Sequence, residues 1–275
     1  SRVLFRSQTR YELLRAQARQ HEQRAERSSQ QACLQARQAA AEALQAHSSP
    51  GRGQPVPLAE AAIFQARFAS DTGDYPNAIL NAQRAIALTR QTASGAQQAK
   101  AFLIWGETLT RQGDYANAHL QLQQALRLSR YHNLQRVEAA TLRILGNVLL
   151  DQGLYDEAIL AYQRSRSVSQ QLGDRWSECW VLNDIGLAYY YQGELSQAQT
   201  LLQQAIQDSN AIGHRQCEAY ALGNLGEISS RQGEYTLGRG LYQRSLLLCQ
   251  ATGDRLGEAR SEEHTSELQS PNTTS

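Results

Sequence analysis

Histidine and cysteine carry the most reactive side chains in this sequence, and they are scattered along the chain. The six histidines show no metal-ligand spacing, and the four cysteines form no Cys-x-x-Cys pair. Cys179 stands forty residues from both Ala139 and Ala219, at a position that otherwise holds alanine, which favours a small buried thiol. We therefore predict neither a metal site nor a disulfide, and we assign no catalytic residue.

The 19 glycines could suggest a phosphate-binding loop. None of them is followed by the Lys-Ser or Lys-Thr pair that such a loop needs, and Lys100 is the only lysine in the chain. The glycines instead recur at a regular interval. We predict that the chain is not an enzyme and binds no cofactor.

Charge and hydropathy narrow the class of partner. The chain has 27 Lys and Arg against 26 Asp and Glu, a net charge of +1, which gives no reason to expect nucleic acid or an acidic membrane surface as a partner. No apolar run approaches the roughly 18 to 20 residues that cross a bilayer, and no segment resembles a secretory signal. We expect a soluble, cytoplasmic protein with reduced thiols.

The two ends of the chain are related through the genetic code. The residues from Arg260 to Thr265 can be encoded by AGA TCG GAA GAG CAC ACG, and the reverse complement of that string encodes the residues from Arg2 to Ser7. One DNA sequence in inverted orientation at both ends is typical of a sequencing adapter. We predict that 1–7 and 260–275 are translated adapter and that 8–259 is authentic; the alternative is a natural tail.

Glycines recur at intervals of forty residues through most of the chain. Each is followed two positions later by tyrosine, or once by Leu195, and a second series of small residues stands seven positions before it. Such regular recurrence is the signature of a repeat architecture. The members of the first series are Gly73, Gly113, Gly153, Gly193 and Gly233, and those of the second are Ala66, Gly106, Gly146, Gly186 and Gly226.

Between these glycines the apolar residues follow helical spacing, as in Leu142 and Leu145. The glycine of each Gly-x-Tyr ends one helix in a left-handed conformation, and an acid such as Asp114 caps the next. Small residues such as Gly146 and Ala158 are expected where the two helices of one unit cross. The sequence therefore predicts repeated pairs of amphipathic helices.

These residues resemble the tetratricopeptide repeat in a lengthened form of forty residues. Its pattern is met by Leu182, Ile185, Gly186, Gly193, Ala198, Leu202 and Ala205, with Leu195 in place of the tyrosine. The resemblance implies an all-α fold, a right-handed superhelix of antiparallel helix pairs. We expect an N-terminal helical pair at 8–47, a loop at 48–56, and five units within 57–259 before the start of a sixth. The units are 57–92, 97–131, 137–171, 177–211 and 217–251.

In this family the first helices line a concave groove that holds a peptide or partner segment. The resemblance places twelve residues of this chain there, among them aromatics suited to binding hot spots and asparagines suited to a peptide backbone. Either kind could instead serve packing between helices. The twelve are Arg143, Asn147, Trp180, Asn183, Asp184, Leu187, Tyr190, Tyr191, Tyr220, Asn224, Glu227 and Arg231.

The leading hypothesis is a non-enzymatic module that binds a protein or peptide in the groove. The alternative is the sensor arm of a larger bacterial signal-transduction ATPase, transcription regulator or nucleotide cyclase, because Leu-Gly-Asp-Arg-Trp at 172–176 is similar to such arms. A spacer without a ligand is the third option. Within the array, Gly223, Gly238 and Gly240 fall inside helices and predict that 235–259 is the least stable part.

Overall fold

The computed structural model describes residues 55–90 and 94–267. These residues form eleven α-helices and no strand. The helices are α1 (Pro55–Asp71), α2 (Tyr75–Arg90), α3 (Gly95–Arg111), α4 (Tyr115–Tyr131), α5 (Gln135–Asp151), α6 (Tyr155–Gln171), α7 (Arg175–Gln192), α8 (Leu195–Ile212), α9 (Arg215–Arg231), α10 (Tyr235–Thr252) and α11 (Arg255–Glu267). We number the units 1 to 5 from α1–α2 to α9–α10, and α11 follows as a single helix.

Left-handed residues end the helices, as the glycine pattern predicts. Gly193 follows the last turn of α7 as its C-cap and has a φ of 87°, a conformation in which an L side chain would be strained. Asn133 is the one non-glycine with positive φ in the described ranges, at 53°, and it occupies the turn after α4. The capping prediction is also confirmed, since the Asp114 carboxylate accepts the backbone N–H of Asn117 at 3.2 Å.

Small residues set the distance between the two helices of a unit. A Cβ atom built on Gly146 would lie 2.4 Å from the ring of Tyr162, so only glycine allows α5 and α6 to cross this closely. Ala158 on α6 is fully buried, as expected. At the same crossing in unit 2, Gly106 faces Leu122.

Each helix packs against its neighbours in sequence, and the apolar clusters span successive units. Leu122 and Ala125 of unit 2 share one cluster with Ile144, Leu145 and Val148 of unit 3. Within the described ranges the core is divided among several clusters, because every unit completes the core of the one before it. The result is the α-α superhelix that the repeat pattern predicts.

Some boundaries and assignments differ from expectation or fall outside the described ranges. Helix α1 begins at Pro55, two residues before the expected start of unit 1. The segments 1–7, 8–47 and 48–54 and the residues after 267 lie outside the described part. Residues 260–267 continue α11, although Glu262 occupies the position of the buried Leu142, Leu182 and Leu222, so the apolar repeat stops after Ala259. The adapter origin of these ends stays a prediction.

Candidate functional site

The first helices of the units form one continuous face. Helices α1, α3, α5, α7, α9 and α11 contact one another in succession, whereas the second helices of successive units make at most marginal contact in the described ranges. Helices that converge on one side and separate on the other curve the array toward the converging side. The first helices therefore line the concave surface, and we call this surface the groove.

A chain of polar side chains forms the floor of the groove across three units. Arg143 of α5 donates to the carboxylate of Asp184 on α7 at 3.1 Å. Asn183 donates to the other oxygen of Asp184 at 3.2 Å and accepts a hydrogen bond of 2.9 Å from Asn224 on α9. Asp184 is only 9% exposed, and burial raises the pKa of its carboxyl although Arg143 opposes the shift.

The three predicted asparagines already have partners within the protein. Asn183 and Asn224 are each 3% exposed and bond to each other, while the Asn147 oxygen accepts the hydroxyl of Tyr162 at 2.8 Å. Asn224 also accepts from Arg260 at 2.7 Å. In this arrangement the buried amides hold neighbouring helices in register. Their expected contact with a partner backbone stays a prediction.

Aromatic rings line the wall of the groove at units 4 and 5. Trp180 and Tyr220 meet edge to face with ring centroids 5.3 Å apart, and the Arg143 guanidinium lies 5.6 Å from the Trp180 ring. Both rings are half-buried. Burial raises the pKa of Tyr220 to about 12, so its hydroxyl remains protonated in the physiological range. Neighbouring groups therefore fix both rings while part of each stays open.

A second group of contacts centres on Glu227 of α9. The hydroxyls of Tyr190 and Tyr242 donate to its two carboxylate oxygens at 2.8 and 2.9 Å. Burial alone would raise the pKa of Glu227, but these hydrogen bonds outweigh it and hold the pKa below the ordinary value. Arg231 lies over the Tyr190 ring at 4.4 Å. Tyr190 is 5% exposed and thus belongs to this support rather than to the open surface.

The open surface is smaller than the predicted set. Tyr191 is 51% exposed and stacks on Tyr155 with centroids 6.0 Å apart. Arg231 is exposed as well, and six others are half-buried. Four of the twelve predicted residues are buried, namely Asn183, Asp184, Tyr190 and Asn224. The six half-buried residues are Arg143, Asn147, Trp180, Leu187, Tyr220 and Glu227.

Sequence reasoning missed one feature at the rim of the groove. The exposed ring of Trp176 lies 4.0 Å from that of His214, and both line a cavity of about 700 Å³ that Asp71 of α1 also borders. His214 is buried, and burial lowers the pKa of its imidazole. The signal available in the sequence was a tryptophan in the first turn of α7. The cavity itself is formed by the turns between units, whose arrangement the repeat pattern does not specify.

The titratable side chains of the described residues do not form a metal site. No cluster of three or more His, Cys, Asp or Glu in the described ranges could hold a metal ion. Cys179 is buried at its alanine position, and burial raises the pKa of its thiol to about 11. This thiol therefore behaves as a small apolar group. No helix within the described ranges is long and apolar enough to cross a membrane.

Sequence and structure comparisons identify the repeat. One model of the tetratricopeptide repeat matches residues 137–210, and a second matches residues 183–255. A search of curated protein sequences found no significant match. Tetratricopeptide repeats typically form non-catalytic scaffolds that bind protein partners.

Three solved structures illustrate the likeness in fold. The BtubC protein of P. vanneervenii aligns with a TM-score of 0.65 at 15% identity, over 81% of this chain and 92% of that one. A Rap protein complexed with competence and sporulation factor gives 0.70 at 14% identity, over 82% of this chain and 65% of that one.

The third is a signal transduction ATPase with numerous domains from Pyrococcus horikoshii, described with a tetratricopeptide repeat sensor. It aligns with a TM-score of 0.59 at 13% identity, over 82% of this chain and 38% of that one. Identities this low establish the fold alone. Residues 137–255 match models of the tetratricopeptide repeat, and the described residues before them continue the same solenoid of helix pairs.

Proposed function

We propose that the array binds an extended peptide segment of a partner protein along the groove of units 3 to 5. The observation that carries this proposal is the row of part-open apolar side chains above a fully bonded polar floor. Trp180, Leu187, Tyr191 and Tyr220 supply the row, and the chain from Arg143 to Asn224 supplies the floor.

Rigid anchors are what make such a row suitable for binding. Trp180 is held by Tyr220 and Arg143, and Tyr191 is held by Tyr155, so little side-chain entropy remains to be lost on binding. Aromatic side chains with part of their area open are the residues that most often dominate binding energy. The module acts by binding alone, in the cytoplasm, without a cofactor, nucleic acid or membrane.

The comparisons support this use of the fold. The Rap protein named above is complexed with competence and sporulation factor, and its fold aligns with 82% of this chain. The present chain spans only 65% of that protein, and the factor is a ligand of the Rap protein. For this chain, the class of partner, a peptide or protein segment, is the part we propose.

A random peptide library displayed on phage and selected on the full chain tests the proposal. The affinity of a selected, fluorescently labelled peptide is then measured by anisotropy. We expect Trp180→Ala and Tyr191→Ala each to weaken binding at least tenfold, as loss of a hot-spot aromatic does. Trp180 is half-buried, and Tyr191 is exposed, so the second variant separates binding from folding.

Leu160→Ala is the matched control. Leu160 is 54% exposed on the second helix α6, away from the first-helix face, and its variant is expected to bind within twofold of the parent. Equal loss in the control and in Tyr191→Ala, or tight binding unaffected by both groove variants, would place the peptide elsewhere and reject the groove.

The sensor arm remains the second candidate function. It is favoured by the repeat sensor of the Pyrococcus horikoshii ATPase, of which the present chain spans 38%. In that role the groove receives a signal for an effector domain on the same polypeptide. A long sequencing read across both ends of the frame in the source DNA tests it, because a nucleotide-binding, cyclase or DNA-binding domain in the same frame is expected.

A further inference from the structure

The outer edge of unit 1 exposes a position that every later unit buries. Phe64 of α1 is 42% exposed. Its counterparts at forty-residue intervals are Ile104 at 3%, Ile144 at 5%, Asp184 at 9% and Asn224 at 3%. A large apolar side chain exposed at a position that the later units bury marks an interface that the described residues leave uncovered.

The counterparts show what normally covers this position. Ile104 of α3 packs in one cluster with Ala66 of α1 and Ala82 of α2, which belong to the preceding unit. Ile144 likewise clusters with Leu103 and Leu122 of unit 2. At this position each unit therefore packs against the unit before it. A cavity of about 280 Å³ lies beside Phe64, bordered by Phe68 of α1 and by Asn77 and Asn81 of α2.

A segment before α1 carries the pattern of a second helix. In α4 the buried residues stand at the fourth, eighth, eleventh and fifteenth positions, which are Ala118, Leu122, Ala125 and Ser129. Counted from Ser29, the same positions of the sequence hold Ala32, Ala36, Ala39 and Ala43. The span 29–46 also matches the length of the second helices, which have 16 to 18 residues.

Chain length permits this segment to reach the edge of unit 1. Residues 47–54 connect it to the start of α1 at Pro55, whereas only residues 172–174 connect α6 to α7. An extended connection of that size can span about 25 Å. Small side chains at the inner positions would also leave room for the bulk of Phe64.

We propose that residues 29–46 form the second helix of a further unit, which docks on α1 at the Phe64 edge. The occupant is thus a segment of the same chain, and the array begins before the first described unit. This inference is independent of the proposed peptide binding in units 3 to 5, because it involves none of the same residues.

A cross-link from the natural thiol Cys33 tests the proposal in the full chain. Cys33 occupies the fifth position of the segment, like Ile159 in α6, and Ile159 shares a cluster with Ile185 of the next first helix. The residue of α1 that corresponds to Ile185 is Gln65. We expect Gln65→Cys to form an intramolecular product with a short bismaleimide, seen as a faster monomer band in denaturing electrophoresis.

Two further variants make the result decisive. Gln83→Cys places the second thiol on the exposed outer side of α2 and is expected to give no intramolecular product. Adding Phe64→Ser to Gln65→Cys is expected to lower the yield at least threefold, while hydrogen exchange of 155–171 stays unchanged. Cys179, Cys217 and Cys249 are buried and contribute little.

Three outcomes would overturn the proposal. Equal yields from Gln65→Cys and Gln83→Cys would show a segment without a fixed position. A cross-linked dimer in place of the monomer product would show that a second copy of the chain covers the edge. No product at all, with both thiols shown to be reactive toward a single maleimide, would place 29–46 away from α1.

Discussion

Units 3 and 5 share the same internal contacts at positions eighty residues apart. In unit 3 the Ser165 hydroxyl donates to the Ala139 carbonyl at 2.7 Å, and in unit 5 Ser245 donates to Ala219 at the same distance. A fully buried tyrosine fills the crossing in both units, Tyr162 in one and Tyr242 in the other. The crossing of the two helices is therefore reproduced in detail.

The surroundings of the two crossings differ. Unit 5 has glycines inside its helices at positions where unit 3 has side chains, and α10 exposes three large apolar residues where α6 exposes one. The tyrosine hydroxyl bonds to Asn147 in unit 3 but to the carboxylate of Glu227 in unit 5. A few residues at the crossing therefore define the repeat, while the rest of the unit sets its stability. The glycines are Gly223, Gly238 and Gly240, and the exposed residues are Tyr235, Leu237 and Leu247.

The largest expected effect comes from removing the buried tyrosines. Tyr162→Ala should lower the free energy of unfolding by about 3 to 5 kcal/mol, because it leaves a cavity at the helix crossing of the central unit. Tyr242→Ala should cost less in the global transition, since a unit near the end of a solenoid can unfold without the rest. Urea unfolding followed by circular dichroism measures both. Equal losses would show that the two units are equally coupled to the array.

The glycines at the two crossings should differ next. Gly146→Ala would place its Cβ 2.4 Å from the Tyr162 ring and should destabilise by about 2 kcal/mol. Gly226→Ala would place its Cβ 3.1 Å from the Tyr242 ring and 3.2 Å from the Gly238 carbonyl oxygen. These contacts need a shift of only a few tenths of an ångström, and the better helix propensity of alanine offsets part of its cost, so stability should stay within about 1 kcal/mol of the parent. The same urea measurement applies, and a stabilised Gly146→Ala would contradict the tight crossing.

The sequence alone predicts the units because their determinants are local. Left-handed glycines, capping acids such as Asp114 and the small residue at each crossing recur every forty residues, and each acts within a few residues of itself in sequence or across one turn. Helix α11 lacks such local determinants in its second half. Its apolar pattern ends after Ala259, and no local signal in the sequence places residues 260–267 in a helix.

The floor of the groove could not be predicted in this way. Arg143 with Asp184, and Asn183 with Asn224, join residues 41 apart, so each bond crosses from one position of the repeat to the next. Which positions meet depends on the twist between successive first helices, and a periodic pattern does not contain that twist. The sequence therefore suggested that Asn183 and Asn224 could contact a partner, whereas in the structure both are buried and bonded to each other.

The interior glycines of unit 5 give the third test. We expect amide hydrogens of 235–252 to exchange faster than those of 155–171 in the full chain, measured by mass spectrometry. Gly223→Ala and Gly240→Ala should each stabilise the helix by about 1 kcal/mol, the difference in helix propensity between alanine and glycine, and so slow that exchange. Space allows both, because a Cβ at Gly223 lies 3.5 Å from the Ser245 hydroxyl oxygen and one at Gly240 meets no atom within 4 Å.

Exchange in α10 as slow as in α6 would contradict the prediction that this end is the least stable part. An unchanged rate in both alanine variants would show that the glycines are not its cause. Ser167 of α6, which is exposed, offers the reverse control, since Ser167→Gly should speed the exchange of unit 3 toward that of unit 5.

The smallest expected effect is a difference between units 3 and 5 in how stability depends on pH. Hydrogen bonds from Tyr190 and Tyr242 hold the pKa of Glu227 below its ordinary value, so its contribution to stability is complete above the ordinary glutamate pKa and is lost as the pH falls through the lowered one. Asn147 bonds to Tyr162 without a titrating group. As the pH falls from about 5 to 3, the free energy of unfolding of unit 5 should therefore decrease by up to about 1 kcal/mol in the parent. The Glu227→Gln variant should not show this decrease. Hydrogen exchange of α10, corrected for the intrinsic pH dependence, measures this difference, with α6 as the internal reference. If the parent and Glu227→Gln respond identically to pH, the carboxylate adds nothing to unit 5 that an amide does not, and the two crossings are equivalent in their bonding.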